Sequence, residues 1–111
     1  MNLDDAAARL EALGNPTRLK IYRTLVRAGE EGLSVGRLQA SIDIAASTLS
    51  HHLKSLVVVA LVTQTREGTT LVCHANYDIM RDLLGYMVEE CCAEGSCPPV
   101  VLPSAKMAKA A

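Results

Sequence analysis

The chain has no tryptophan and no phenylalanine, and only three tyrosines among its 111 residues. Leu, Val, Ile and Ala must therefore fill any core, and the aromatic platforms on which single-stranded nucleic acids stack are missing. No apolar run is long enough to span a bilayer, which takes about 20 residues. The acidic start, Met1-Asn2-Leu3-Asp4-Asp5, lacks the basic-then-apolar order of a secretory leader. These absences read as a cytoplasmic protein with no membrane partner. Signs of catalysis are lacking too: there is no Cys-x-x-Cys, no phosphate loop and no His/Asp pairing. We found no internal repeat.

Half of the sequence is apolar, enough for one modest core, and domains this small are often completed by a partner surface. The net charge of −1 conceals an uneven layout. Residues 15–74 carry seven basic side chains (Arg18, Lys20, Arg23, Arg27, Arg37, Lys54, Arg66) against four acidic ones, and the rest of the chain is acidic. A mildly basic middle suits contact with phosphates, although an ordinary mixed surface fits the charges equally well.

Periodicity organises the chain into helices and one hairpin. Leu3, Ala6, Leu10 and Leu13 form one stripe of a first helix that Gly14 closes. Asn15-Pro16 opens a second, Asn as cap and Pro in the first turn. Leu19, Tyr22, Leu25 and Val26 face inward, and the helix ends at Ala28-Gly29. Ser34 caps a short helix running from Val35 to about Ser41, and a turn around Ile42-Asp43-Ile44 leads to a longer helix from about Ala46. At about 100° per residue, Leu49, Leu53, Leu56 and Ala60 share one side of that helix. Ser47, His51 and Lys54 fall opposite, flanked by Thr48, Ser50 and Ser55. Two helices joined by a short turn, the second polar outside, are a helix–turn–helix pattern. Leu61–Arg66 and Thr69–Ala75 are β-rich runs around Glu67-Gly68, a hairpin placed where a wing would be. Asn76 caps a last helix whose stripe (Ile79, Met80, Leu83, Leu84, Met87, Val88, Cys91) is wide enough to meet another subunit. The expected fold is mostly α with a β-hairpin wing, a winged helix–turn–helix domain over residues 1–97. Pro98-Pro99 stops regular structure, leaving 98–111 as a disordered tail.

Leu13-Gly14-Asn15-Pro16-Thr17-Arg18-Leu19, Ser47-Thr48-Leu49-Ser50-His51-His52-Leu53-Lys54-Ser55-Leu56, Ala60-Leu61-Val62 and Arg66-Glu67-Gly68 together resemble the ArsR/SmtB bacterial metalloregulators across nearly all of residues 3–97. The resemblance implies a homodimer through first and last helices, with recognition helices in successive major grooves of double-stranded operator DNA. It also implies repression that an effector relieves. Two departures stand out. Val57-Val58-Val59-Ala60 occupy places where the family usually has charged residues and a Gly, and Thr69-Thr70 replace a basic residue after the wing glycine. Counted as a helix, the first departure puts Val58 at the centre of the polar face; a strand-like run would instead shorten the helix.

Ser47, Thr48, Ser50, His51 and Lys54 are small or polar enough to reach base edges or phosphates in a major groove, and Arg66 is the wing's basic residue. By pattern alone a solvated helix face explains them as well; the resemblance decides for DNA. His52, at the core edge, suits packing or phosphate anchoring. Arg18 and Lys20 suit surface charge or backbone contact.

Four cysteines stand at 73, 91, 92 and 97, the last three within Cys91-Cys92-Ala93-Glu94-Gly95-Ser96-Cys97. In a reducing compartment a structural disulfide is disfavoured against a ligand or sensor role. Soft thiolates select soft acceptors, and trivalent arsenic or antimony takes three sulfurs in a pyramid. Cys91, Cys92 and Cys97 are the expected ligands of As(III) or Sb(III), an effector and not a permanent cofactor. Cys91 and Cys92 would diverge by about 100° on a regular helix, so binding should unwind or kink its last turn. Taken alone, Cys91, on the apolar stripe, reads as a small buried apolar residue rather than a ligand, and isolated Cys73 suits a structural role. The zinc-type site of the family needs His in the last helix, which has none, and the thiolate site on the DNA-binding helices has no Cys. The site that remains looks like that of arsenic-responsive members.

Three rival readings follow from the same residues. A thiol redox or persulfide sensor would join two thiols, but its usual second-helix cysteine is missing here. A thiol enzyme would want a helix N-terminus or basic neighbours, whereas this cluster lies among Glu89, Glu90 and Glu94. A winged-helix protein-interaction module stays open on the valine-rich segment and the sparse wing.

Overall fold

The computed structural model describes residues 1–97; the tail expected to be disordered, 98–111, lies outside them. Five helices and a small antiparallel sheet follow in the order α1 (Leu3–Leu13), α2 (Pro16–Ala28), β1 (Leu33–Ser34), α3 (Val35–Ile42), α4 (Ala46–Val58), β2 (Val62–Glu67), β3 (Thr70–Ala75) and α5 (Tyr77–Val88). Four helices start on a side-chain cap. Asn2 Oδ1 accepts from the Asp5 N–H at 2.8 Å, and Asn15 Oδ1 from Thr17 and Arg18 at 2.9 and 3.0 Å. Ser34 Oγ takes the Arg37 N–H at 3.2 Å and Asn76 Oδ1 that of Ile79 at 3.3 Å. Each cap satisfies donors that the first turn would leave orphaned. α4 alone begins without one, on Ala45.

The core is aliphatic apart from Tyr22, as the lack of Trp and Phe requires. Ile21 and Leu25 of α2, Leu38 of α3, Leu49 and Leu56 of α4, and Leu61, Val62 and Cys73 around the sheet are fully buried. Each such Leu or Ile contributes about 1.5–3 kcal/mol by leaving water. On α2 the buried set is Ile21, Tyr22 and Leu25, while Leu19, expected inward, is 42% exposed. Leu19 lies about 200° around the helix from Ile21, off the face that Ile21 and Leu25 share.

The sheet has the order β1-β3-β2. Its short first strand goes beyond the expected hairpin: Leu33 pairs with Cys73 and Ser34 with Val72. Gly32 makes this possible, since at φ +68° a Cβ would run into the Cys73 carbonyl and the His74 ring. In the β2–β3 register Glu67 pairs with Thr70, so the hairpin turn is Gly68-Thr69, one residue later than expected, with Gly68 at φ +65°. Glu67 itself needs no positive φ and stays in the ladder.

α4 runs through Val58, which rules out the strand-like alternative for the valine run. Leu56 is fully buried and Val59 packs against the core, and this packing outweighs the modest helix propensity of valine. Ala60, expected on the core stripe, takes φ +65° and ends the helix, and it is only partly buried. α5 is anchored where Tyr77 donates its hydroxyl hydrogen to the Val26 carbonyl at 2.9 Å. Of its apolar stripe only Leu83 is buried; Leu84, Met87 and Val88 are exposed. Among the described residues no helix is long and apolar enough to cross a membrane.

Candidate functional site

Two groups of residues carry the chemistry. The first lies on α4. Ser47, Thr48, Ser50, His51 and Lys54 are all exposed, and the side opposite them buries Leu49, Leu53 and Leu56. The helix is roughly 20 Å long at 1.5 Å per residue, a length and width that a DNA major groove admits. Val58, 75% exposed, continues the polar face beyond Lys54, where the helical count had put it. It lines a shallow groove with Arg18, His51 and Lys54.

His52 is half-buried at the core edge, and its Nδ1 has no hydrogen-bond partner among the described residues. Burial first, then the Arg18 charge and the neighbouring His51 ring, lowers its pKa, which favours the neutral ring. That agrees with a packing role more than with a standing positive charge for phosphate. Arg18 is directed inward by a hydrogen bond from Nε to the Ala12 carbonyl at 2.6 Å. Arg66 is exposed on the hairpin, opposite Leu71, away from the α4 cluster in sequence but on the wing as expected. His74 braces the base of that wing, one ring nitrogen 3.0 Å from the Glu30 carbonyl and the other 3.0 Å from Thr65 Oγ1.

The second group is the cysteine cluster. The sulfurs of Cys91, Cys92 and Cys97 all lie within 4.8 Å of one another. Regular helix stops at Val88, three residues short of Cys91, so the thiols sit in turns rather than on the apolar stripe. Successive turns are closed by Cys91 N–H to Val88 O, Ala93 N–H to Glu90 O and Gly95 N–H to Cys92 O at 2.9–3.2 Å. Cys92 takes φ +62° and swings its side chain toward its neighbours. No unwinding is needed to gather the three sulfurs, contrary to the expectation drawn from a continuous helix. Cys91 is exposed, not a buried apolar residue. Its Sγ lies 3.5 Å from that of Cys92, and Cys92 and Cys97 are joined as a disulfide with Cα atoms 5.1 Å apart. A disulfide here departs from the reduced-thiol expectation; three sulfurs held so close can either bond to each other or share an acceptor. Cys73 stands apart, fully buried in β3, its thiol pKa raised by burial and eased by a hydrogen bond from Gln64 Nε2 at 3.4 Å.

Arg9 went unnoticed in the sequence. Its Nε donates to the Val59 carbonyl at 2.8 Å, tying α1 to the end of α4. Only the fold brings together these two positions, 50 residues apart, and the acceptor is backbone, so no residue pattern could mark it.

Comparison with known proteins gives this arrangement relatives. The family described as "Helix-turn-helix domain" matches residues 13–65. The nodulation protein NolR of Rhizobium meliloti is 35% identical over 80 residues, 72% of this chain and 63% of that protein. A Halobacterium salinarum protein that carries the name of an arsenical resistance operon repressor, ArsR, is 44% identical over 59 residues, 53% of this chain and 45% of that protein. The crystal structure of NolR from Sinorhizobium fredii superposes with a TM-score of 0.63 at 34% identity, covering 78% of this chain and 83% of that one. The chain belongs to the ArsR/SmtB family. Its winged helix–turn–helix fold is shared by a homodimeric DNA-binding domain from Mycobacterium bovis, with TM-score 0.65, 26% identity, and coverage of 79% and 82%. The chain spans less than two thirds of the length of these curated relatives, and the family match runs from the end of α1 into β2.

Proposed function

We propose that this protein is a homodimeric transcriptional repressor that binds operator DNA through α4 and the wing and is released when As(III) or Sb(III) is held by Cys91, Cys92 and Cys97. The observation that carries the effector half is the convergence of the three sulfurs within 4.8 Å directly after α5. Among the described residues the group holds three soft donors and no nitrogen or oxygen ligand, which suits a thiol-seeking trivalent centre better than zinc or magnesium. The donors present fit such an ion once a thiol reductant has opened the Cys92–Cys97 disulfide; the three thiol hydrogens would then leave as water with the hydroxides of trivalent arsenic or antimony, and three sulfur bonds would fix the segment from Glu89 to Cys97. That segment continues the helix whose exposed Leu84, Met87 and Val88 face out for a second subunit. A dimer reads half-sites a fixed helical distance apart, so a shift in how α5 meets its partner changes the spacing of the two α4 helices and lowers DNA affinity.

Ser47, Thr48, Ser50 and His51 then supply hydrogen bonds to base edges, and Lys54 and Arg66 supply phosphate contacts. The names of the Halobacterium relative and of the Mycobacterium bovis domain point the same way, toward arsenical response and DNA binding as a dimer.

A second reading is favoured by the Cys92–Cys97 disulfide: the same three thiols acting as a redox sensor. One experiment separates the two. The reduced protein is bound to the DNA upstream of its own gene and challenged with arsenite, zinc or hydrogen peroxide in a mobility-shift assay. Release by arsenite that is lost in Cys91→Ser and Cys97→Ser supports the metalloid reading. Release by peroxide alone, retained in Cys91→Ser and lost in Cys97→Ser, replaces it with the redox reading. Absence of DNA binding sinks both and leaves a protein-interaction module.

A further inference from the structure

We propose that Arg9 is the positioning residue that passes movement of the subunit interface to the recognition helix. The inference rests on the repressor reading above and names the device by which it works.

The C-terminal end of α4 has no basic residue in its last turn, although a helix ends in unsatisfied carbonyls and partial negative charge. Two of those carbonyls are closed locally: Val57 accepts from Ala60 at 3.0 Å and Leu56 from Leu61 at 3.1 Å. The Val59 carbonyl is taken by Arg9, with its Nε–H at 2.8 Å. The same arrangement recurs one helix earlier. α1 also lacks a basic residue in its last turn, and Arg18 of α2 donates to its Ala12 carbonyl at 2.6 Å. Two arginines thus link α2 to α1 and α1 to α4, each gripping backbone at a helix end.

α1 is well placed to relay. It packs against both α4 and α5. Beside Arg9 it exposes Leu10, and Leu3 is 69% exposed, so α1, like the α5 it packs against, offers apolar side chains to a second subunit. A rearrangement of that face moves α1. Apolar contacts between α1 and α4 could slide, but an N–H aimed at a single carbonyl is directional and makes the end of α4 follow. A backbone acceptor also holds whatever side chain stands at position 59.

The test uses the full chain with Arg9→Gln and Arg9→Lys. Lysine retains the charge at the end of α4 and loses the fixed Nε–H, which guards against a variant that merely fails to fold. Dimerisation is followed by sedimentation, arsenite binding by sulfur–arsenic absorbance, folding by thermal melting and operator affinity by fluorescence anisotropy. With dimer and arsenite binding intact, the ratio of operator affinities without and with arsenite should fall roughly fivefold or more in both variants, the low end of common allosteric couplings. A lowered melting temperature with an unchanged ratio overturns the proposal, because Arg9 would then be only a helix cap. If arsenite leaves the unmodified protein on its operator, the effector reading fails on its own account. Arg9 is then decided by the effector-free affinity of the dimeric Arg9→Lys protein: a loss of about fivefold or more upholds its hold on α4, and no loss refutes it.

Discussion

Cys73 and Cys91 carry the same group in opposite surroundings. Cys73 is sealed between the sheet and the helices, and burial raises its pKa, so the reactive thiolate is scarce as well as shielded. Cys91 is exposed beside Cys92 and Cys97. After reduction, native protein treated with iodoacetamide should show three alkylated cysteines by mass spectrometry. The fourth, at position 73, should appear only on unfolding. Early labelling of Cys73 would mean that the wing opens readily. Tyr22 offers a second test. Its hydroxyl is buried without a hydrogen-bond partner among the described residues, and burial, with a smaller contribution from Tyr77, pushes its pKa up to about 12. The folded state favours the protonated phenol, so this contribution to stability is whole below pH 10 and drains away as pH climbs toward 12. Tyr22→Phe should flatten the loss of stability across that window in urea melts. It should also stabilise the neutral protein by about 1 kcal/mol, since an unpaired buried hydroxyl is costly.

At the scale of elements, the end of α4 carries an unusual backbone. Ala60 adopts φ +65°, a left-handed conformation that a side chain disfavours by about 1–2 kcal/mol. Ala60→Gly should recover about 1 kcal/mol, offset in part by the greater freedom of glycine in the unfolded chain, and thermal melting would register it. A variant less stable than the parent would show that the alanine methyl packs usefully there. The same site shows how far sequence could be read. Most helices announced themselves through Asn15, Ser34 and Asn76 and through the 3.6-residue spacing of leucines, all local signals. The polar face of α4 was legible for the same reason. β1 was not, because two residues carry no period, and their pairing with Cys73 and Val72 is settled by chain return across the fold. The cluster of thiols was visible as composition, but its geometry depended on where α5 stops. The apolar stripe runs on to Cys91, whereas the helix ends at Val88 and turns replace it. Arg9 was invisible, since its partner is a carbonyl.

At the scale of the molecule, the outer faces of α1 and α5 present Leu3, Leu10, Leu84, Met87 and Val88 to solvent. Large apolar side chains left bare on two helices in contact are normally covered, and the core, without Trp or Phe, has little reserve of its own. A two-fold dimer would cover the patch with its own copy and set two α4 helices side by side for successive major grooves. Met87 is the position at which to test this, because at 59% exposed it contributes little to the fold of one chain. Met87→Glu should leave the monomer folded by circular dichroism, since the new carboxylate meets water. Buried against its symmetry mate it would desolvate two charges of one sign, which association cannot offset. Sedimentation should therefore show monomers. Operator affinity should drop by about a hundredfold or more, the scale of gain when a second linked site engages. The cysteine cluster lies beyond the substituted turn and should still bind arsenite in the monomer. A Met87→Glu protein that remains dimeric and holds its operator would place the subunit contact elsewhere and cut the proposed route from Cys91, Cys92 and Cys97 to the DNA.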